Sequence, residues 1–469
     1  MKRNDNLFKL IKSLTAKEKA YFKTINKSSA NYIVLFDLMN KQKKYNEHEL
    51  IEGLQGITNY DHKTFSVEKK YLYDKLLQSL ILFNQSNLSQ GDICIKLSQE
   101  ADILFSKGLF NQANNRLRIA KKKAVKYDLY VEKRYLLDKE LRFEIVNRQR
   151  GGERTESIYD EMSQLHEIME NANIYRKINN SIEIMFNSSL GLSHYQIINL
   201  LHQITNNKFI TDESNAKCYV SKVYFHSIRF EYFNLIENFE AALKEAMTSF
   251  HLIQSNISRN SDYILLYSKV KLLRPLFKNG HIEQANIYFQ EIKSTCASKR
   301  YLAKLLIINC YQECYLFYKA TQSALLPKII DDWTIEINKF RNDLKLIDWV
   351  VYFICLTDYQ LMNSEFKKAQ YYLNQITSIP ITSIKLEWFI SIRLFEIKIH
   401  YKLGNIDLID SYVLSLRKIF KDFQIEDSCW MYEYLDFVMG KSDKKVFSAK
   451  ISPSNSFVGN QILNKLDII

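Results

Sequence analysis

The chain has 469 residues, with only 4 Pro and 11 Gly, and 65 Lys and Arg against 52 Asp and Glu, a formal charge of +13. So few turn-forming residues exclude a fold built on β-hairpins or long loops and predict an all-α protein. Seven cysteines, an odd count with no CxxC pair, exclude a disulfide scaffold and point to reduced thiols in a cytoplasmic protein.

The charge is unevenly spread. Residues 1–150 hold 29 Lys and Arg against 17 Asp and Glu, a balance of +12, whereas residues 151–469 hold 36 against 35, a balance of +1. The charged start, Met1-Lys2-Arg3-Asn4-Asp5, leads into an amphipathic segment broken by Lys9 and Lys12. No apolar signal core follows, so export is not expected. The longest charge-free apolar run, Trp349 to Thr357, is about half a membrane span and predicts a buried helix, with no membrane contact.

Residues 1–92 read as a helical module. Thr15-Ala16-Lys17-Glu18 has the spelling of a capping box, in which the Thr hydroxyl and the Glu carboxylate each satisfy a backbone N–H at a helix start. Asn31 to Lys43, with Ile33, Leu35, Phe36 and Met39, predicts a second helix, and Glu47 to Leu54 a short third one. After the polar turn Asn59-Tyr60-Asp61-His62, Ser66 is read as the N-cap of a longer helix ridged by Leu72, Leu76 and Leu80, with Tyr73 and Leu77 beside it. Short helices before a longer one suit a helix-turn-helix or a capping bundle; the bundle is preferred, because fold-level analogy is weak evidence for the helix-turn-helix. Asn84 to Asp92 reads as a polar linker.

From residue 93 a spelling recurs: a small or polar residue, any residue, an apolar one, two polar ones, then Ala. Gly108-Leu109-Phe110-Asn111-Gln112-Ala113 shows it first, followed by Leu117, Ala120 and Ala124 on one helical face. Arg118, Lys122 and Lys126 lie opposite that face at i, i+4, i+8. They form either a solvated row or a surface for an anionic partner. A further helix is expected over Tyr130 to Val146, and the paired glycines in Arg148-Gln149-Arg150-Gly151-Gly152-Glu153-Arg154 mark a hinge or loop at 148–154.

The spelling returns at Glu237 (with Phe239 and Ala242), at Gly280 (with Ile282 and Ala285), at Ser364 (with Phe366 and Ala369) and at Gly404, where Ile409 replaces Ala. The first positions are 43, 84 and 40 residues apart. The 84 is two units of 42 with a degenerate junction near Gln322 to Pro327. The 129 residues from Gly108 to Glu237 are three units of 43, with weak junctions near Gly151 and Ser193-His194-Tyr195. A left-handed glycine after a helix end is the usual C-cap signal, so Gly108, Gly280 and Gly404 predict helix reversals. Ile282, Ala285, Phe289 and Ile292 begin the apolar stripe of the helix that follows Gly280. Pro275 is expected to kink or shorten the helix before it.

This spelling resembles the turn and second helix of a tetratricopeptide repeat. Gly108, Phe110, Ala113, Leu117 and Ala120 carry the resemblance best, then Gly280, Ile282, Ala285 and Phe289, then Ser364, Phe366, Ala369 and Leu373. The repeat is longer than that family's 34 residues, its first-helix Trp-Leu-Gly signature is absent, and Pro380 alone fits its terminal Pro. The resemblance implies a right-handed α-solenoid of helical hairpins over residues 93–440, with a polar tail at 441–469 that is a docked helix or a frayed end. It also implies a surface for a protein or peptide partner; the matching positions are packing positions and carry no binding role.

No phosphate loop, HExxH or GxSxG motif occurs, and no catalytic, metal or cofactor residue is predicted. Cys310 and Cys314, one turn apart, read as buried apolar residues, and His194 and His202 as junction packing. Asp331-Asp332 reads as the N-terminal turn before Trp333. The aromatics Tyr311, Tyr315, Phe317, Tyr318, Tyr371 and Tyr372 are expected to pack between helices. Two functions compete: a non-catalytic adaptor that holds a protein or peptide partner, and a regulator whose basic residues 1–150 touch nucleic acid while the repeats sense a partner.

Overall fold

A computed structural model describes residues 6–26, 30–56, 64–84, 88–147, 153–187, 194–256, 262–298, 302–341, 344–379 and 386–422. Every regular element among the described residues is helical. The polar turn at 59–62, the glycine pair at 151–152, Ser193, Pro380 and the tail from 441 lie outside the described residues. The chain forms two compact units, residues 1–147 and 148–469.

The first unit contains α1 (Asn6–Ser13), α2 (Ala16–Ile25), α3 (Asn31–Lys41), α4 (Glu47–Gln55), α5 (Phe65–Phe83), α6 (Gln90–Ser106), α7 (Phe110–Lys126) and α8 (Tyr130–Asn147). The Thr15 box is formed: Thr15 Oγ1 accepts from the Glu18 N–H at 3.3 Å, and Glu18 Oε2 accepts from the Thr15 N–H at 2.7 Å. Helix α3 buries the four expected residues Ile33, Leu35, Phe36 and Met39. Helix α5 buries Leu72 and Leu76, with Leu80 packed at the edge. Ser66 is not its N-cap; the helix starts at Phe65, whose ring is buried and anchors the first turn inside the core. The expected linker at 84–92 is also shortened, because Ser89 and Asp92 form a second capping box that starts α6. Two apolar clusters result, one of residues from α1 to α5 and one of residues from α6 to α8.

The second unit begins with α9 (Glu153–Asn187), α10 (His194–Thr205), the single turn α11 (Lys208–Thr211) and a 3₁₀ turn (Glu213–Asn215). Helix α9 is one unbroken rod of 35 residues, so the interval before Glu237 is not three equal hairpins. Nothing in 153–187 supplies a Gly or Pro to stop it.

Beyond it the helices come in pairs. They are α12 (Tyr219–Leu235) with α13 (Phe239–Ser255), and α14 (Asp262–Lys278) with α15 (Ile282–Ser298). The next are α16 (Ala303–Leu305), which runs through a π turn (Leu306–Cys310) into α17 (Tyr311–Ala320), with α18 (Leu326–Lys339). Last come α19 (Leu346–Met362) with α20 (Phe366–Leu373), and α21 (Leu386–Lys402) with α22 (Ile406–Asp422).

Each pair turns on a residue with positive φ: Glu237 (59°), Gly280 (78°), Gln322 (48°), Ser364 (59°) and Gly404 (77°), as Gly108 (76°) does between α6 and α7. That backbone lets the residue's own N–H and the next one cap carbonyls the helix leaves free. Gly280 N donates to Phe277 O (3.2 Å) and His281 N to Leu276 O (2.9 Å); Gln322 N donates to Lys319 O (3.1 Å) and Ser323 N to Tyr318 O (2.9 Å). The same bond pair closes the turns at Gly108, Ser364 and Gly404.

Five residues on from the left-handed position, Ala113, Ala242, Ala285 and Ala369 are fully buried, and each N–H makes an i→i−4 bond at the start of the second helix. Without a larger side chain there, the two helices of a pair approach closely. Helix α14 runs through Pro275 to Lys278 at full length, so the proline does not shorten it. Ile282 is 42% exposed and stands outside the stripe that Ala285, Phe289 and Ile292 bury. Asp331 and Asp332 lie mid-helix in α18, whose first turn instead holds Pro327.

Two consequences can be measured by thermal or denaturant unfolding. Ala285→Leu should cost about 1–3 kcal/mol by overpacking; an unchanged midpoint would contradict the close approach. A Cβ at Gly280 meets nothing within 4 Å, so Gly280→Ala should cost only the left-handed penalty of about 1 kcal/mol, while Gln322→Gly should be neutral or stabilising by up to about 1 kcal/mol. Equal losses from both would contradict the backbone assignment.

Candidate functional site

The residues singled out from sequence do not converge on one pocket. Gly108, Gly280 and Gly404 are turn residues, and Ala113, Ala242, Ala285 and Ala369 are packing residues. Phe239 and Phe366 open their helices half-buried. Phe239 also ties pairs together: Arg274 and Lys278 of α14 sit over its ring at 5.7 and 5.5 Å. Asn279 Nδ2 donates to its carbonyl at 2.8 Å.

Arg118, Lys122 and Lys126 are exposed on α7, opposite the buried face of Ala113, Leu117, Ala120 and Ala124. Arg118 Nη2 donates to Asn115 Oδ1 at 2.9 Å, and Lys126 Nζ lies 5.2 Å from the Tyr127 ring centre. The other cations of the helix are engaged sideways. Arg116 pairs with Glu100 of α6 at 3.3 Å, Lys121 with Glu140 of α8 at 2.6 Å, and Lys123 donates to Gln90 at 3.4 Å.

Helix α5, the long helix a helix-turn-helix would offer to DNA, presents a different face. Val67, Tyr71, Ile81 and Leu82 are 45–67% exposed on it, a surface suited to apolar contact rather than to phosphates.

In the second unit the ionisable groups are tied to one another. Lys271 of α14 donates to Glu231 (2.7 Å) and Ser227 (3.0 Å) of α12, with the Phe230 and Tyr267 rings 5.4 and 5.2 Å away. Burial alone would lower the Lys271 ammonium, but the Glu231 carboxylate holds it above its ordinary value.

Glu245 of α13 accepts from Arg229 Nε at 2.7 Å and lies 2.6 Å from His226 Nδ1. Burial opposes its charge, yet these two bonds prevail and its carboxyl titrates below the usual range. Further on, Asp358 of α19 accepts from Tyr315 (2.7 Å) and Lys319 (2.8 Å) of α17, the Lys–Asp pair being almost wholly buried. None of these pairs was legible in the sequence, since partners 16 to 43 residues apart share no motif.

Beside Arg229, residues His202, Thr205, Thr211, Tyr232 and Phe233 line an open cleft of about 260 Å³. That is below the usual size of a ligand pocket. His202, expected to pack at a junction, is exposed, with its Nδ1 3.1 Å from the Tyr232 hydroxyl.

Cys310 and Cys314 are buried, and burial pushes both thiols well above their ordinary range, which leaves them unreactive. Among the described residues no three His, Cys, Asp or Glu side chains are grouped as a metal ion would need. Likewise no described helix is long and apolar enough to cross a membrane. Of the aromatics expected between helices, Tyr311, Tyr315 and Tyr318 are buried, whereas Tyr371 is 63% exposed.

Compared with protein-family models, with curated proteins and with solved structures, the chain matches none.

The buried pair is open to a direct test. Lys319→Met should destabilise by about 3–5 kcal/mol, because it strands the Asp358 carboxylate in the core. Adding Asp358→Leu should recover most of that loss. A double variant no more stable than Lys319→Met would show that the pair is not the origin of the cost.

Proposed function

We propose that residues 219–422 form a right-handed solenoid of tetratricopeptide-like hairpins, and that this unit is a cytoplasmic, non-catalytic scaffold for a protein or peptide partner. The observation that supports it best is the run of left-handed residues at 237, 280, 322, 364 and 404, at intervals of 43, 42, 42 and 40. Such regularity is what a chain of stacked two-helix units requires. Seven of the paired helices on either side, α12 to α15, α19, α21 and α22, have the same length of 17 residues.

Packing in chain order adds to this. First helices meet first helices, α14 with α17, α17 with α19 and α19 with α21, so each new pair lies on the one before. A stack of this kind has one face of first helices and one of second helices. The first-helix face carries exposed Tyr263 and Tyr401, residues that anchor protein interfaces well because they are large and amphipathic.

Site-specific photo-crosslinking in the native cell tests the reading. A crosslinking residue at Tyr263 or Tyr401, on first helices, should trap one and the same protein. The same residue at Ile287 of α15 or Leu414 of α22, on second helices, should not. Equal labelling of many proteins from all four positions would contradict a scaffold that uses one face.

A further inference from the structure

We propose that α7 carries a nucleic-acid-binding strip, on which Arg118, Lys122 and Lys126 meet a phosphodiester backbone without reading base sequence. This is independent of what the hairpins of residues 219–422 hold.

The helix itself is unusual. Its 17 residues contain six cations and no carboxylate. Structure divides the six into two sets. Arg116, Lys121 and Lys123 turn to the flanking helices and meet Glu100, Glu140 and Gln90. Arg118, Lys122 and Lys126 face outward, and among the described residues none of them meets a carboxylate. Glu100 and Glu140 neutralise two of the inner set and Gln90 draws Lys123 aside, so the three outward cations, which meet no carboxylate among the described residues, stand in a single line.

That line continues in side-chain amides. Asn111 and Asn115 are exposed on the same face, two turns and one turn before Arg118. From Asn111 to Lys126 the strip therefore runs about 22 Å, with neighbouring members about 6 Å apart wherever the step is four residues. All five side chains donate hydrogen bonds. Val125, 54% exposed, is the apolar residue beside them.

These features favour nucleic acid over an acidic protein. A protein partner is held by large apolar or aromatic anchors in desolvated pockets, and a row of solvated cations beside one valine has none. A phosphodiester backbone needs only evenly placed donors and positive charge, and gains affinity by releasing counterions. Nothing on the strip commits a side chain to a base edge, so sequence preference is not expected. The wider unit supports the same sign, since residues 1–147 hold 27 Lys and Arg against 17 Asp and Glu.

The test uses the full chain with labelled 20-base-pair duplex DNA and labelled 20-nucleotide single-stranded RNA, followed by anisotropy from low to moderate salt. Binding of either at low salt is expected, and the tighter one identifies the source of the phosphates. The variant R118Q/K122Q/K126Q should keep its melting temperature. Its log–log salt slope for duplex DNA should flatten by about 2.7, so that the parent loses roughly 40-fold more affinity than the variant over a fourfold rise in salt.

A control, K244Q/K328Q/K367Q, removes the same charge from exposed positions in the second unit and should behave as the parent. The proposal is overturned if neither nucleic acid binds at low salt, or if both triple variants weaken binding alike. It is also overturned if a 20-residue polyglutamate peptide binds more tightly than both nucleic acids.

Discussion

A helix cannot reverse direction over two or three residues while every residue keeps a right-handed backbone. The paired helices of this protein depend on one residue at each reversal taking the opposite hand. Gly280, Gly404 and Gly108 do so without a side chain in the way; Glu237, Gln322 and Ser364 do so against the steric preference of an L-residue. The capping bonds that follow, such as His281 N to Leu276 O, satisfy carbonyls that would otherwise face a closely packed partner. At four of these six reversals the residue five positions later is a fully buried alanine, and its small size suits a close approach of the pair.

Both units tie cations to carboxylates between helices, as Lys69 with Glu47 in the first, but the outward row on α7 is an exception. In the second, cations and carboxylates form internal ties between helices: Lys271 of α14 with Glu231 of α12, Arg229 of α12 with Glu245 of α13, Lys319 of α17 with Asp358 of α19. That fits a stretch whose balance is +1 over residues 151–469. Removing one partner from such a tie leaves a buried charge, so these pairs specify which helix lies on which as much as they stabilise. In α7 the ties stop at the flanks, and the outward charges remain available to solvent or to a ligand.

What was legible in the sequence followed from local backbone chemistry. Glycine after a helix end marked three reversals, and Thr15 with Glu18 marked a helix start, because both signals act over a few residues. Glu237 and Ser364 carry no such signal and were placed by the recurring spelling, and the junction near Gln322 by spacing alone; all three have positive φ.

Spacing failed at 153–187, where counting in units of 43 implied separate hairpins and the chain instead forms one helix. A period says where a break would fall, not whether a residue there can make one. Ser66 and Asp331 misled for a related reason: a capping residue type is common inside helices, and burial of Phe65 and placement of Pro327 decided those starts. The Lys319–Asp358 pair, 39 residues apart, left no trace because tertiary packing alone brings it together. The Arg118 row was legible because helical geometry fixes the angle between residues four apart, once the buried face is known.

Helix pairs that lie mainly on their neighbours in the chain should come apart locally. Native-state hydrogen exchange of the full protein and of Gly280→Ala, compared helix by helix, tests this most directly. If each pair is held chiefly by the pairs beside it, the variant should lose most protection in 219–340 and little in 386–422. An equal loss of protection in every helix from 153 to 422 would contradict it.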